Sequence, residues 1–286
     1  MNDLSDTKES SGGHRIKEVH HFVELIDITA FLAVMNKNLT LAFRGQPQDH
    51  SLLPTLFRSH WCPPIGDGSH RVRIDGDQRE HYWEKLKSVE QATLAVLHDE
   101  GLPRWRHLRD HPPARWAVIQ HYELWPTPLL DFSTSLRVAA SFAFDCHRNA
   151  SGGYLYVVGL RRIHSDLMPL SDNDDAEQEA QLLAIRLNAV CPPKAKRPHL
   201  QEGVLLGHYP FRRPDKFSQR LNDASSILIA KLRLINQGDF WSKDFPIHRR
   251  ASLLPKKKDD GLLRKLRERV NYRQNSSGRI TPGARA

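Results

Sequence analysis

A chain of 286 residues that is 39% hydrophobic and 26% charged, with 16 Gly and 18 Pro, has the balance of a globular protein and excludes collagen-like and compositionally disordered classes. Cys62, Cys146 and Cys191 form no C-x-x-C pair and leave an odd number, which argues against a disulfide framework and a thiolate zinc knuckle. The formal charge of +9 is concentrated in residues 256–286, where ten Lys/Arg face only Asp259, Asp260 and Glu268, so the body has no compositional mark of a nucleic-acid-binding protein.

No apolar run reaches the roughly 18 residues of a membrane span, and the opening MNDLSDTKESSGGHR lacks the apolar core of a signal peptide. The expectation is a reduced, cytoplasmic protein with no membrane partner. Residues 1–14, rich in Ser, Gly and Asp, read as a disordered N-terminus. From Ile16 to Met35, Val19, Phe22, Val23, Ile26, Phe31 and Met35 recur at helical spacing. Asn38–Arg44 (NLTLAFR) alternates as a strand and stops at Gly45.

Trp61–Asp77 has the Pro, Gly and charge of a loop, and Glu80–His98 the apolar periodicity of a helix. Pro112 and Pro113 open a helix through Tyr122, since proline in a first turn sacrifices no hydrogen bond. A turn at Pro126 and Pro128 leads through Leu129–Asp131 to an apolar helix over Thr134–Asp145, with Ser133 as its expected N-cap and Gly152-Gly153 as its exit. Tyr154–Leu160 reads as a buried strand, and Asp172–Val190 as a helix with an acidic first turn. Strands are expected at Gly203–His208 and Ser226–Leu234, then a last amphipathic helix over Leu262–Val270 introduced by Asp-Gly. The scatter of short strands among helices, without regular βα alternation, predicts one α+β domain over residues 15–270. Its mixed sheet is surrounded by helices, and a flexible basic tail follows over 271–286.

Two constellations carry possible chemistry. Phe43-Arg44-Gly45-Gln46, followed by LPTLFR ending at Arg58, puts an arginine at a strand end beside a glycine that admits a close backbone or ligand. The arginine serves equally as an anion clamp or in a structural ion pair. Gln120-His121-Tyr122 and then PTPLLDFSTS crowd His121, Tyr122, Asp131, Ser133, Thr134 and Ser135 around a rigid turn before a helix, a setting for acid–base work or ribose binding. The plainer reading makes Ser133 a cap, Asp131 a turn residue, and His121 and Tyr122 polar-tipped core residues.

FRGQ, the LLPTLFR downstream, QHY with PTPLLDFSTS, and VAASFAF resemble, in this order over residues 43–143, the FRG domain, named for its Phe-Arg-Gly motif. Three departures stand out: Glu123 occupies the place of a usual glycine, Trp125 looks like an insertion, and Phe132-Ser133 replaces Trp-Thr. A glutamate disfavours positive φ, so a locally rebuilt turn is expected at Glu123. Either Arg220 before Ala224-Ser225-Ser226 or Arg233 before Gln237-Gly238-Asp239-Phe240 answers to a late family motif.

Phe132-Ser133-Thr134-Ser135 with Val138-Ala139 and Phe142-Ala143 is similar to the STS motif of ADP-ribosyltransferases, in which an arginine, the STS strand and a late glutamate surround NAD. The resemblance implies an NAD pocket formed by Arg44, Gln46, His121, Tyr122, Asp131, Ser133, Thr134 and Ser135. Arg44 would hold phosphate, Ser133 or Ser135 the ribose, and Tyr122 the nicotinamide face, while His121 would bond Asp131 or the ligand. Glu177 and Glu179 have a suggestive spacing for the glutamate, although an acidic helix start explains them equally. The target would be an unknown macromolecule. The competing reading is a non-catalytic module that binds RNA or a protein through residues 256–286.

Other signals are poorer. His107 and His111 are four apart but lack the further ligands a zinc site needs, so no metal is expected. Glu80 reads as a partner for Arg44 or Arg58, or as an ordinary first-turn acid. P-loop, nucleophile-elbow and Rossmann glycine patterns are absent from the sequence.

Overall fold

The computed structural model describes residues 16–57, 76–102, 105–161, 167–169, 181–191, 195–209, 224–255 and 260–276. The chain begins with strand β1 (Ile16–Val19), helix α1 (Phe22–Met35) and strand β2 (Leu39–Gln46). Helices α2 (Gly76–Asp99), α3 (Trp105–Asp110) and α4 (Pro112–His121) follow. Strand β3 (Leu130–Ser133), helix α5 (Leu136–Ala143) and strand β4 (Gly152–Arg161) form the middle of the chain. Next come β5 (Leu167–Pro169), β6 (Gln181–Arg186), the short helices α6 (Leu187–Val190) and α7 (Lys196–Gln201), and β7 (Gly203–Tyr209). Strand β8 (Leu228–Ile235), helix α8 (Arg250–Leu253) and helix α9 (Gly261–Ser276) complete it.

Among the described residues eight strands make one mixed sheet in the order β1-β8-β4-β2-β3-β7-β6-β5, in which only β1 and β8 pair in parallel. This is the α+β architecture expected from the scattered strand signals. Alternation along β2 divides its side chains between two cores. Phe43 joins Phe22, Leu25, Ala139, Ala143 and Trp241 on one face, and Ala42 joins Leu52, Phe132, Val158 and Val204 on the other. A third, largely helical core gathers Leu86, Val89, Ile119, Tyr122, Trp125 and Leu266 between α2, α4 and α9. The apolar periodicities of Glu80–His98 and Leu262–Val270 therefore have their expected cause, burial of one face of each helix.

Gly45 explains why the Phe-Arg-Gly strand ends in glycine. A Cβ there would stand 1.8 Å from the Ala139 carbonyl oxygen, and one at Gly153 would stand 2.1 Å from that of Ala143. Helix α5, built of small residues at those contacts, thus lies directly on the backbones of β2 and β4. The close backbone approach that the sequence allowed at Gly45 is that of helix α5.

Several expectations are corrected. Ile16–Val19 is an edge strand on β8 rather than helical, because pairing supplies its backbone hydrogen bonds. The helix expected over Asp172–Val190 falls partly outside the described residues. Within them, Gln181–Arg186 is a strand held on both sides by β5 and β7, and only Leu187–Val190 is helical. Tertiary pairing there overrides an acidic start that favours helix. Leu130 and Asp131 belong to strand β3 rather than to a turn, and α5 starts later than expected. Its N-cap is Ser135, whose Oγ accepts from the Val138 N–H, and not Ser133. Gly152-Gly153 opens β4 rather than merely ending a helix. Helix α9 continues beyond Val270 to Ser276. The loop expected at 61–77 lies almost wholly outside the described residues, as do residues 1–14 and 277–286.

Candidate functional site

Strands β2 and β3 share a single register pair, Phe43 with Ser133, and part beyond it. Arg44 bridges the opening: its Nη1 donates to the Asp131 carbonyl oxygen at 2.6 Å. Next to this parting lies a cavity of about 340 Å³ lined from β2 by Phe43, Arg44 and Gly45, and from β3 by Asp131, Phe132 and Ser133. Helix α4 and its exit add Gln120, His121, Glu123 and Trp125, while α7 and α8 add Arg197, Gln201 and Arg250. The volume is at the lower end of the range of about 300–1,000 Å³ for ligand pockets.

A hydrogen-bonded relay sets the wall under Arg44. The Leu129 N–H donates to Thr127 Oγ1, Thr127 donates to Gln120 Oε1 at 2.9 Å, and Gln120 Nε2 donates to Asp131 Oδ2 at 2.9 Å. Thr127 is fully buried. The Pro-Thr-Pro segment and the glutamine of QHY therefore aim one carboxylate. Burial pulls the Arg44 pKa down, opposed by the Asp131 carboxylate and Tyr156. Arg44 Nε, out of contact with solvent, has no hydrogen-bond partner among the described residues.

His121 is buried, and its Nε2 also has no partner. Burial, reinforced by the Arg197 cation, drives its pKa well below the usual histidine value, with a backbone hydrogen bond at Arg197 acting in the opposite sense. The ring is therefore neutral at pH 7.

Ser133 is buried and heavily engaged: its Oγ donates to the Gln201 carbonyl at 2.8 Å and accepts from the Ser135 N–H at 3.0 Å. A hydroxyl has two acceptor sites, so one remains for a ligand donor. Thr134 is exposed and donates its N–H and its hydroxyl to the Glu202 carbonyl, at 3.1 and 3.3 Å. Ser135 caps α5. Neither Thr134 nor Ser135 lines the cavity, and Gln46 is buried with its Nε2 donating to the His50 carbonyl at 3.2 Å.

Tyr122 turns away from the site. It is fully buried in the helical core, and its hydroxyl donates to Asp260 Oδ2 at 3.1 Å while Asp260 Oδ1 accepts the Leu263 N–H at the start of α9. The aromatic surfaces of the cavity are instead Phe43, Trp125, Phe132 and Phe142. Trp125 is thus a wall residue of the cavity as well as part of the helical core.

Glu123 corrects the expectation drawn from its side chain, since it does adopt positive φ, at 53°. Its carboxylate accepts from Arg197 Nη2 at 2.7 Å, and this contact accompanies a backbone that glycine enters without cost. Arg197, Gln201 and Arg250 are the site residues that sequence reasoning missed. Arg197 stands in a basic Pro-rich stretch where nothing distinguishes it from Lys194 or Lys196.

Arg233 lies on β8, where it is exposed and bonds Glu18 at 3.2 Å, outside the residues lining the cavity. Gln237–Phe240 form a turn in which the Asn236 side chain accepts the Gly238 and Phe240 N–H groups, with Phe240 buried against Phe22. Arg58, Arg220, Glu177 and Glu179 lie outside the described residues, as does the side chain of Glu80. Among the described residues no three His, Cys, Asp or Glu side chains converge as a metal site, and no helix is long and apolar enough to cross a membrane.

An α+β protein with a cleft where an arginine strand parts from a serine strand is the class these features define. The family model of the FRG domain matches residues 40–151, so the chain carries an FRG domain. That span runs from β2 to the start of β4 and supplies the cavity walls from Phe43 to Asp145. Arg197, Gln201, Arg250 and Leu254 come from beyond it. No curated protein and no solved structure matches the chain.

Proposed function

We propose that the cleft binds NAD and that the protein is an ADP-ribosyltransferase-like enzyme acting on a macromolecular target. The observation that carries this reading is the placement of Arg44 and Ser133 on neighbouring strands, both lining one cavity. In this reading the Arg44 guanidinium, which lines the cavity, holds a phosphate, since its planar fork suits phosphate oxygens. Ser133 Oγ accepts a ribose hydroxyl at its remaining lone pair, and His121 lines the same wall. The Asp131 backbone carbonyl orients Arg44, while the Asp131 carboxylate, held by Gln120, favours the arginine's charge. The planar ring packs on Trp125 or Phe142, since Tyr122 is committed to the core.

Arg250 and Asp145, an exposed pair at 2.8 Å, also line the cavity. The test is calorimetric titration of the full chain with NAD, together with incubation with labelled NAD and cell lysate, for the wild type and Arg44→Gln. NAD binding and label transfer that both fall at least tenfold in the variant are expected. Absence of both in the wild type overturns the reading.

A further inference from the structure

The cavity contains a second buried arginine that none of the recognised motifs includes. The Arg197 side chain is only 8% exposed. One terminal nitrogen donates to Glu123, yet Nε has no partner and is shielded from water. Leaving a donor of a buried cation unpaired is costly, and a ligand acceptor relieves that cost. Arg44 repeats the pattern in the same cavity, with Nη1 spent on the Asp131 backbone and Nε unpaired. Among the described residues, two guanidinium groups, each held by one protein acceptor and each keeping a buried Nε without a partner, thus line one cavity of about 340 Å³.

The counter-ion of Arg197 is unlike an ordinary core partner. Glu123 is 54% exposed, sits on positive-φ backbone and lines the cavity wall. It therefore balances the Arg197 charge from the solvent-exposed side of the pair. The ligand chemistry that answers two such arginines is a pair of linked anionic groups, each with oxygens that accept from a planar fork.

We propose that Arg197 is a second phosphate-binding residue, so that the cavity takes a diphosphate, one phosphoryl group on Arg44 and the other on Arg197, with Glu123 as the resident counter-ion that weakens this binding. The inference deepens the NAD reading and rests on it for the role of Arg44, but it requires neither a nicotinamide nor any transfer step. Inorganic pyrophosphate and the diphosphate of a nucleotide share the chemistry, and they are separated by titrating both.

The experiment titrates the full chain with inorganic pyrophosphate, ADP-ribose and NAD, comparing wild type, Arg197→Lys and Glu123→Gly. Lysine keeps the charge but loses the fork, so pyrophosphate and ADP-ribose affinity should fall at least tenfold. Glycine suits the positive φ and frees Arg197 of its carboxylate, so both affinities should rise severalfold. A merely structural ion pair predicts no such opposition; unchanged affinities, or changes in the same direction, overturn the proposal. Should Arg197→Lys fail to fold by circular dichroism, the rise in Glu123→Gly decides, and its absence refutes the role. Preference for ADP-ribose over pyrophosphate identifies the nucleotide as the source. Diphosphate binding with the opposed variant pattern, but without NAD binding or label transfer, upholds this proposal while the NAD reading fails. Label transfer and diphosphate affinity both unaltered in the two variants overturn this proposal and leave the NAD reading standing.

Discussion

Adding a single methyl group at Gly45 tests whether the glycine of the Phe-Arg-Gly strand exists for packing. The new Cβ would lie 1.8 Å from the Ala139 carbonyl oxygen and 2.6 Å from the Ala143 nitrogen, where ordinary contact begins at 3.4 Å. Both neighbours are backbone atoms, so no side chain can rotate away, and α5 must lift by more than an ångström or β2 must bend. The same helix rests on Gly153, which prevents it from pivoting freely. Overpacking of a well-filled core costs about 1–3 kcal/mol and occasionally more, and Gly45→Ala belongs at the upper end. At roughly 2–4 °C per kcal/mol for a protein of this size, Tm should fall by about 6–12 °C. The control is Gly261→Ala at the start of α9, where a Cβ meets nothing within 4 Å, and which should shift stability by less than about 1 kcal/mol. Thermal and urea denaturation followed by circular dichroism measure both. If Gly45→Ala melts within a degree or two of wild type, the close approach of α5 to β2 is wrong.

Tyr122→Phe should remove the donor to buried Asp260 Oδ2, costing about 1–3 kcal/mol in urea denaturation while leaving ligand Kd within twofold. A larger loss of affinity would return the tyrosine to the site. His121 is neutral in the folded protein, since burial and then the Arg197 cation depress its pKa below the 6.5 of an unperturbed histidine. The unfolded chain then binds the extra proton first, so this contribution to stability is present above pH 6.5 and is lost as pH falls toward the folded value. The stability difference between wild type and His121→Gln should accordingly be flat above that pH and shrink on acidification; a difference that grows instead refutes the neutral ring. Cys146 and Cys191 are both buried, with the Cys146 thiol pushed up to about 11 and Cys191 raised further by burial beside Asp260. Alkylation of these two by iodoacetamide at pH 8 should be slow until denaturant is added, as peptide mapping reports; rapid labelling in the native state contradicts their burial.

The relay from Leu129 through Thr127 and Gln120 to Asp131 bears on how a conspicuous motif should be read. Only some of its polar residues face the cavity, and the others hold those that do. Gln120 and Thr127 aim Asp131, Ser135 caps α5, and Tyr122 ties the end of α4 to the start of α9 through Asp260. Density of polar groups in sequence therefore marks a built region without telling which members touch a ligand. At Ser133 the two roles coincide, because a hydroxyl that bonds Gln201 and Ser135 still keeps one acceptor site.

Local sequence was enough to place β2, β4, β7 and β8, the helices of Glu80–His98 and Leu262–Val270, and to bring Arg44, His121, Asp131 and Ser133 to notice, four residues that line one cavity. In each case the signal is short-range: alternation or helical periodicity of apolar residues, proline at a first turn, or a compact run of polar groups. The tertiary structure alone decided that Leu130–Ser133 and Gln181–Arg186 are strands, because their backbone groups are satisfied by β7 and by β5 and β7, partners distant in the chain. It also decided that Tyr122 faces the core, a matter of which side of α4's end meets Asp260, 138 residues later. Glu123 took the positive φ its side chain disfavours, and its carboxylate is engaged by Arg197. Arg197 itself had no local mark, since an arginine in a basic loop and one buried at a cavity wall differ only in what folds around them.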